Sequence, residues 1–186
     1  DGPDDPAVVP AEITADDVAT IDDLIRCGAE IRWLWEPWIQ SGVLNIIAAA
    51  AGAGKTRFCA DLLRRIRHGL PWPDGAPMTL PPESVALWVV ADNHHDEMVT
   101  LSLSFRIKDG IRLNASKADP YGGVSLDEPE DLAALAGRVR AVKPALVIID
   151  TVGNATDRNL SRQEDAKAFY QPLQIMARRA NCPFLC

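Results

Sequence analysis

The residues that decide the fold are Val43-Leu-Asn-Ile-Ile47 and, directly after them, Ala48-Ala-Ala-Ala-Gly-Ala-Gly-Lys-Thr56. The first five form a short apolar run, typical of a strand that is buried on both faces of a parallel sheet. After the glycine-rich stretch, residues 55–68 carry apolar side chains at helical spacing. Strand, glycine-rich turn and helix in this order let successive backbone N–H groups converge on phosphate oxygens. The sequence therefore predicts a phosphate loop over residues 49–56.

Two side chains of this loop carry polar groups, Lys55 and Thr56. In a phosphate loop the lysine reaches the β- and γ-phosphates of a nucleotide, and the hydroxyl coordinates Mg²⁺. Ala49 stands at the first position of the eight-residue pattern, where glycine is usual, so the backbone there must avoid a positive φ. The alternative is an incidental loop. The predicted nucleotide-contacting residues are Ala51, Gly52, Ala53, Gly54, Lys55, Thr56 and Arg57.

Asp150 follows the apolar run Leu146-Val-Ile-Ile149. An acidic residue that emerges from a buried strand beside a phosphate loop holds the hydrated Mg²⁺, which is the Walker B role. We therefore expect Thr56 and Asp150 to form the metal site. The alternative is that Asp150 caps a helix or lies in an ordinary loop.

Asp92 ends another apolar run, Val85-Ala-Leu-Trp-Val-Val-Ala91. A carboxylate at the end of the neighbouring strand can orient or deprotonate the attacking water, so Asp92 and Lys55 are the predicted catalytic residues. Two alternatives remain for this segment. Asp92 and Asn93 can cap the following helix, and the stretch Asp92-Asn-His-His-Asp-Glu97 resembles a metal-binding cluster.

Strands and helices alternate along the rest of the chain. Strands are predicted over 85–91, 111–113, 145–149 and 183–186, and helices over 96–105, 130–141 and 163–179. This alternation predicts an α/β fold, with a mainly parallel sheet flanked by helices and its site at the carboxyl ends of the strands.

The charge of the chain is concentrated at its N-terminus. The net charge is −7, but residues 1–30 hold nine acidic side chains and one basic one, whereas residues 31–186 are close to neutral. Residues 1–12 are rich in proline and aspartate, which predicts disorder, and a helix is expected from Thr14 to near Gly28. We therefore expect an acidic, partly disordered arm over residues 1–30 and a core domain over residues 31–186.

Composition excludes several classes of protein. At 186 residues a domain buries a sufficient core without disulfides or structural metal. The four cysteines, Cys27, Cys59, Cys182 and Cys186, lack the paired spacing of a zinc site and are expected to be free thiols. No apolar run is long enough to cross a bilayer, and the acidic N-terminus is unlike a secretory signal. The expected location is the cytoplasm, with no membrane partner.

Two further groups of residues have more than one interpretation. Three tryptophans lie within residues 33–38, where they either stack on a base or cover the edge of the sheet, and packing is the favoured interpretation. Arg158 and Arg162 follow the Asp150 strand. They are candidates for contact with phosphate, a neighbouring subunit or DNA, and a solvated loop is the alternative.

With these residues identified, the chain resembles the RecA-like AAA-family ATPases related to the plasmid replication helicase RepA. The resemblance runs from about Trp33 to Cys186 and rests on the phosphate loop, the Asp150 strand and the stretch Gly69-Leu-Pro-Trp-Pro-Asp-Gly75. Members of that family usually have a Glu-Asp pair where this chain has Asp92-Asn93. The resemblance implies a RecA-like P-loop core in which strand 183–186 lies between the phosphate-loop strand and the Asp150 strand. It also implies that the family's elements beyond this strand are missing, so that the core is truncated.

The resemblance implies a Mg²⁺-dependent ATPase that works as a hexameric DNA helicase or replication-associated motor. ATP and Mg²⁺ are the implied cofactors, and single-stranded DNA is a candidate partner. The alternative is a nucleotide-dependent switch or assembly scaffold in which Asp92 and Ala49 accompany weak hydrolysis. A small-molecule kinase is a third hypothesis, because phosphate loops serve both classes.

Overall fold

The structure is a computed structural model, and it describes residues 18–26, 31–50, 52–91, 95–114 and 124–186. The chain divides into two compact units, residues 1–31 and residues 32–186.

The described part of the first unit contains one short helix, α1 (Ile21–Arg26). Thr20 and Asp23 cap its start reciprocally: the backbone N–H of Thr20 donates to Asp23 Oδ2 at 2.8 Å, and the backbone N–H of Asp23 donates to Thr20 Oγ1 at 3.2 Å. The sequence predicted a helix start at Thr14, which lies outside the described residues. Residues 18–20 are not helical, so the predicted helix is wrong over these three residues, and α1 begins at Ile21.

The second unit alternates strands and helices as predicted. Its strands are β1 (Trp33–Trp35), β2 (Ile39–Gln40), β3 (Leu44–Asn45), β4 (Ala86–Val90), β5 (Ile111–Leu113), β6 (Leu146–Asp150) and β7 (Phe184–Leu185). Its helices are α2 (Lys55–His68), α3 (His95–Ser104), α4 (Pro129–Val142) and α5 (Gln163–Ala180). Short 3-10 turns occur at Lys108–Gly110 and Val152–Asn154.

Five strands form the central sheet in the order β3-β7-β6-β4-β5, and every neighbouring pair is parallel. The last strand, β7, lies between the phosphate-loop strand β3 and the Asp150 strand β6. This order confirms the prediction of a RecA-like α/β core. Because the strands are parallel, their carboxyl ends lie along one edge of the sheet, which is where the predicted site residues follow β3 and β6.

Helices cover both faces of the sheet. On one face, α2 and α3 pack Leu62, Ile66 and Leu101 against strand residues that include Trp88. On the other face, α4 and α5 place their buried side chains against a second set that includes Phe184. Burial of each large apolar side chain contributes about 1.5–3 kcal/mol, so the helix layers on both faces stabilise the sheet. Apolar runs without alternation in β4 and β6 follow from this two-sided burial.

The tryptophan-rich segment forms a small antiparallel hairpin of β1 and β2, which the sequence did not predict as strands. Trp35 is buried, stacks on Trp72 with ring centroids 5.3 Å apart and donates from Nε1 to Asp74 Oδ2 at 3.0 Å. The favoured interpretation, that these tryptophans pack against the rest of the core, therefore holds for Trp35. Trp38 differs, because it is 64% exposed.

Candidate functional site

The phosphate loop follows β3 and takes its shape from two glycines. Gly52 and Gly54 have positive φ values of 72° and 88°, which side chains rarely adopt, and a Cβ added at either would meet nothing within 4 Å. Glycine is therefore needed there for its backbone conformation rather than to avoid crowding. Ala49 is not among the described residues with positive φ, so its backbone is open to alanine as predicted. Ala51 lies outside the described residues.

Lys55 begins α2 and turns its side chain back over the loop. Its Nζ donates to the carbonyl oxygens of Ala49 at 3.0 Å and Ala50 at 3.1 Å. The ammonium group is therefore held by backbone carbonyls that precede α2. A third internal hydrogen bond, from the N–H of Ala53 to the carbonyl of Ala50 at 3.2 Å, closes the turn.

The start of α2 differs in charge from the other described helices. Helices α1, α3, α4 and α5 each carry two acidic residues in their first turn, whereas α2 carries none, and no side chain caps it. The first intrahelical bond at this end runs from the N–H of Phe58 to the carbonyl of Gly54, so the preceding N–H groups have no helical acceptor. An uncapped helix start with no acidic residue in its own first turn favours an anionic ligand.

Asp150 ends β6, and only 9% of its surface is exposed. It lies opposite Val90 at the end of β4, and its carbonyl accepts a hydrogen bond from the N–H of Ala91 at 3.2 Å. Asp150 and Lys55 line the same cavity, of about 240 Å³, at the carboxyl ends of β3, β7 and β6. The structure thus brings together the predicted lysine and the predicted Walker B aspartate.

Thr56 and Arg57 follow Lys55 in the first turn of α2. Thr56 is partly buried. The Arg57 guanidinium lies over the ring of Phe105, 5.8 Å from its centroid, and Arg64 lies over the same ring at 5.5 Å. The Arg57 side chain is therefore held over Phe105, directly after α3, rather than over the phosphate loop. Its backbone N–H is the remaining group of Arg57 at the helix start.

Two cysteines that the sequence did not predict at the site, Cys59 and Cys186, also line this cavity. Burial, and after it the nearby Asp150 and Cys186, raise the pKa of the Cys59 thiol to about 12. Burial also raises the pKa of Cys186 to about 12. Cys59 is four residues after Lys55, a spacing that places both on one face of a helix, so this neighbour was open to prediction. Within the described residues, the cysteines are free thiols.

Asp92, the predicted general base, lies outside the described residues, together with Asn93 and His94. The chain enters this segment from Val90, the last residue of β4, and from Ala91, both beside Asp150. His95 begins α3. Among the described residues, no group of three or more His, Cys, Asp or Glu side chains is placed to hold a metal ion.

The loop after Asp150 is attached to the segment before α4 through Asp127. Its carboxylate accepts hydrogen bonds from Thr156 Oγ1 at 2.8 Å and the N–H of Asp157 at 2.9 Å, and it pairs with Arg158 Nε at 2.6 Å. Burial acts to raise the pKa of Asp127, but the donors of Thr156, Asp157 and Arg158 together outweigh it and hold the pKa below its usual value. Arg158 is therefore an internal ion-pair partner, whereas Arg162 is exposed.

A larger cavity, of about 780 Å³, lies along the outer face of α5 beside Leu44 of β3. It contains none of the predicted nucleotide or metal residues. Its volume alone does not make it the candidate site, because the loop, the uncapped helix and Asp150 meet at the smaller cavity. In the described part of the chain, no helix is long and apolar enough to span a membrane.

Comparison with solved structures and known sequences places the chain among its relatives. The KaiC-like protein PH0186 from the hyperthermophilic archaeon Pyrococcus horikoshii OT3 is similar in structure, with a TM-score of 0.49 and 15% sequence identity. The similarity covers 82% of this chain and 63% of that chain, so this chain spans less than two thirds of the KaiC-like protein. No curated protein matches in sequence. A family model described as an AAA domain matches residues 10–186, and the chain therefore belongs to this AAA domain family of P-loop ATPases.

Proposed function

We propose that the chain binds ATP with Mg²⁺ at the phosphate loop and hydrolyses it. The observation that carries this proposal is the start of α2: it has no acidic residue in its first turn, no side-chain cap, and the glycine turn directly before it. Lys55 and Asp150 line one cavity at that point, which supports a cation-assisted phosphate site. The Lys55 ammonium group suits the phosphates of a nucleoside triphosphate, and the Asp150 carboxylate suits the divalent cation that accompanies them.

Each residue has a distinct role in this proposal. Backbone N–H groups of residues 52–57 would surround the phosphates, and Lys55 would exchange its bonds to the loop carbonyls for bonds to the β- and γ-phosphates. The Thr56 hydroxyl and the Asp150 carboxylate would hold Mg²⁺. When bound, Mg²⁺ neutralises charge that develops on the transferred phosphoryl group.

Asp92 is the proposed general base for the attacking water. The support is its place in the chain, two residues beyond Val90, which is the register partner of Asp150. A carboxylate within hydrogen-bonding reach of the water can accept its proton as the new P–O bond forms.

A motor acting on single-stranded DNA, assembled as a hexamer, is the finer part of the proposal. Its support is the resemblance of residues 33–186 to the RepA-related ATPases. Cytoplasmic location belongs to the same proposal. The competing function is a nucleotide-dependent switch or scaffold, which is motivated by the departures from the family pattern at Ala49 and Asp92.

Isothermal titration with Mg-ATP tests the nucleotide site. We expect Lys55→Ala to lower affinity at least about tenfold, because the loop loses its one ammonium group. Lys108→Ala, on an exposed lysine beyond α3, is the matched control and should bind as the parent chain does. Equal affinity in the parent and Lys55→Ala chains would contradict the proposal.

Turnover separates the motor from the switch. Hydrolysis stimulated by single-stranded DNA supports the motor and excludes the scaffold. ATP-dependent assembly without turnover supports the switch or scaffold and excludes the motor. Both outcomes presuppose nucleotide binding, which the titration measures separately.

A further inference from the structure

One tryptophan of the packed group on the β1–β2 hairpin keeps its ring in solvent. Trp35 is buried and stacks on Trp72, and its ring centroid lies 6.1 Å from that of Trp38. Trp38 nevertheless leaves 64% of its surface exposed. Its backbone is held as well, because its N–H donates to the carbonyl of Trp35 at 2.7 Å and closes the turn between the two strands. A large aromatic side chain that is fixed in place and exposed is suited to stacking on a partner.

A fixed carboxylate lies beside this tryptophan group. Asp74 Oδ2 accepts a hydrogen bond from Trp35 Nε1 at 3.0 Å, and Asp74 Oδ1 accepts one from the backbone N–H of Ala76 at 3.0 Å. The N–H of Ala76, and after it the indole of Trp35, hold the pKa of Asp74 below its usual value, and the indole of Trp38 acts in the same direction. The N–H of Trp72 donates to the carbonyl of Ala76 at 2.8 Å and closes the loop around Asp74. The exposed carboxylate is therefore charged at neutral pH and held in one place.

The structure shows no cation of this chain bound to either group among the residues that it describes. Residues 33–50 and 69–82 contain no lysine or arginine. In the described part of the chain, Asp74 forms no ion pair, and the guanidinium groups that lie over an aromatic ring both use Phe105. The exposed indole of Trp38 and the charge of Asp74 are thus open to a cation from outside the chain.

An indole face and a carboxylate at its edge together favour one kind of side chain. The electron-rich face of an indole attracts a cation that lies over it. A guanidinium group is planar and weakly hydrated, so it stacks on the ring while its N–H donors point outward in its own plane. The ammonium group of lysine is a compact and strongly hydrated charge, and it gains less from stacking. Arginine therefore fits this pair of groups better than lysine does.

We propose that Trp38 and Asp74 form a docking site for an arginine side chain of a protein partner. The guanidinium group stacks on the exposed face of Trp38 and donates to the carboxylate of Asp74. Both groups are already held by Trp35 and by the loop, so binding orders little of the site. A nucleic acid would gain the stacking contact, but the carboxylate would repel its phosphates. Neither residue lines the cavity beside Lys55, so the proposal goes beyond the proposed function and does not depend on it.

NMR titration of the tryptophan indole N–H signals tests the site. The probe is a short peptide of glycine and serine with a single central arginine, and the matched peptide has lysine in that place. The Trp38 signal, identified by its loss in Trp38→Phe, should shift with the arginine peptide. We expect the lysine peptide to bind at least about threefold more weakly. Tetramethylammonium, which cannot donate a hydrogen bond, should bind more weakly still.

Variants of both side chains separate their contributions. Trp38→Ala should weaken binding of the arginine peptide at least about fivefold, and Trp38→Phe should weaken it less. Asp74→Asn should weaken binding about threefold and remove most of its dependence on salt, because an exposed ion pair is lost. Glu130→Gln removes the same charge in α4, on the other face of the sheet, and should match the parent chain.

Four results would overturn the proposal. They are equal affinity for the arginine and lysine peptides, parent-like affinity in Trp38→Ala, a stronger response to oligothymidine than to the arginine peptide, and self-association of the parent chain that Trp38→Ala abolishes. The last result would assign the surface to a second copy of the chain. Asp74→Asn also changes a group that holds Trp35, so thermal unfolding is measured, and the variants of the exposed Trp38 decide the result if its melting temperature falls.

The docking site and the nucleotide site fail separately. The peptide titrations are repeated in Lys55→Ala, and Mg-ATP binding is measured in Trp38→Ala. Loss of ATP binding with retained peptide binding contradicts only the proposed docking role of Trp38 if it occurs in Trp38→Ala. Absence of ATP binding in the parent chain with normal peptide binding contradicts only the proposed nucleotide site.

Discussion

The ammonium group of Lys55 is bonded to the carbonyl oxygen of Ala49 at 3.0 Å, which joins the first and seventh positions of the phosphate loop. The bond uses the backbone of Ala49 and not its side chain. Since the φ of Ala49 is not positive, a glycine there would add freedom to the unfolded chain without relieving strain.

Ala49→Gly, which restores the usual glycine, is therefore predicted to leave ATP affinity within about threefold of the parent. It should lower the free energy of unfolding by about 0.4–1 kcal/mol, because glycine loses more conformational freedom on folding. Gly54→Ala is the comparison, since its φ of 88° is costly for alanine, and it should weaken ATP binding at least about tenfold. Calorimetric titration and thermal unfolding measure both. Improved hydrolysis and unchanged stability in Ala49→Gly would contradict this explanation of the departure.

Asp150→Asn keeps the size of the side chain at the end of β6 but removes its charge. If Asp150 holds Mg²⁺, the variant should lose about 100-fold in ATP turnover, a loss typical of removing one electrostatic contributor to a transition state. Affinity for ADP in the absence of Mg²⁺ should change little, because the phosphate loop remains intact. Steady-state kinetics over a range of Mg²⁺ concentrations measures the loss. A variant with parent-like turnover at every Mg²⁺ concentration would remove Asp150 from the metal site.

The sequence predicted the helices of the core closely, because local signals define them. Helix α2 was predicted at residues 55–68 and is observed at Lys55–His68. The periodic apolar residues of α2 and the glycine after it, Gly69, are both local sequence signals. In the structure Gly69 has the positive φ that ends many helices. The position of β7 between β3 and β6 came from the family resemblance, since no local pattern specifies the order of parallel strands.

Contacts between segments far apart in sequence were beyond prediction. The β1–β2 hairpin contains strands of three and two residues, and Trp35 packs on Trp72, which is 37 positions away. The pairing of Arg158 with Asp127 likewise joins loops 31 residues apart. Short strands and loop ion pairs depend on tertiary packing, so the sequence left Arg158 with several interpretations.

Asp127→Asn is predicted to loosen the loop that follows Asp150. The carboxylate accepts bonds from Thr156 and Asp157 and pairs with the partly exposed Arg158, so its loss should cost about 1.5 kcal/mol, or about 4 °C in melting temperature. Asp157→Asn is the control, because Asp157 joins this network through its backbone N–H. If both variants melt alike, the network does not stabilise the fold.

The same substitution has a defined pH dependence. Because the folded-state pKa of Asp127 lies below the unfolded value of 3.8, its carboxylate contributes stability that is fully present above about pH 4. That contribution is lost as the pH falls through the folded pKa. The difference in unfolding free energy between the parent chain and Asp127→Asn should therefore be constant from pH 5 to pH 7 and shrink in stronger acid. A difference that grows on acidification would reverse the assigned sign.

The buried thiols are predicted to be chemically inert in the folded protein. Burial raises the pKa of Cys182 to about 12, and burial together with Asp150 and Cys186 does the same for Cys59. Only the thiolate reacts, so at pH 8 about one thiol in ten thousand is reactive. Labelling with iodoacetamide, followed by mass spectrometry in a Cys27→Ser background, should find both sites unmodified in buffer and modified in denaturant. Fast labelling of Cys59 in buffer would show that its thiol is reached by the reagent, and it would contradict the close packing of α2 on the sheet from which the site geometry follows.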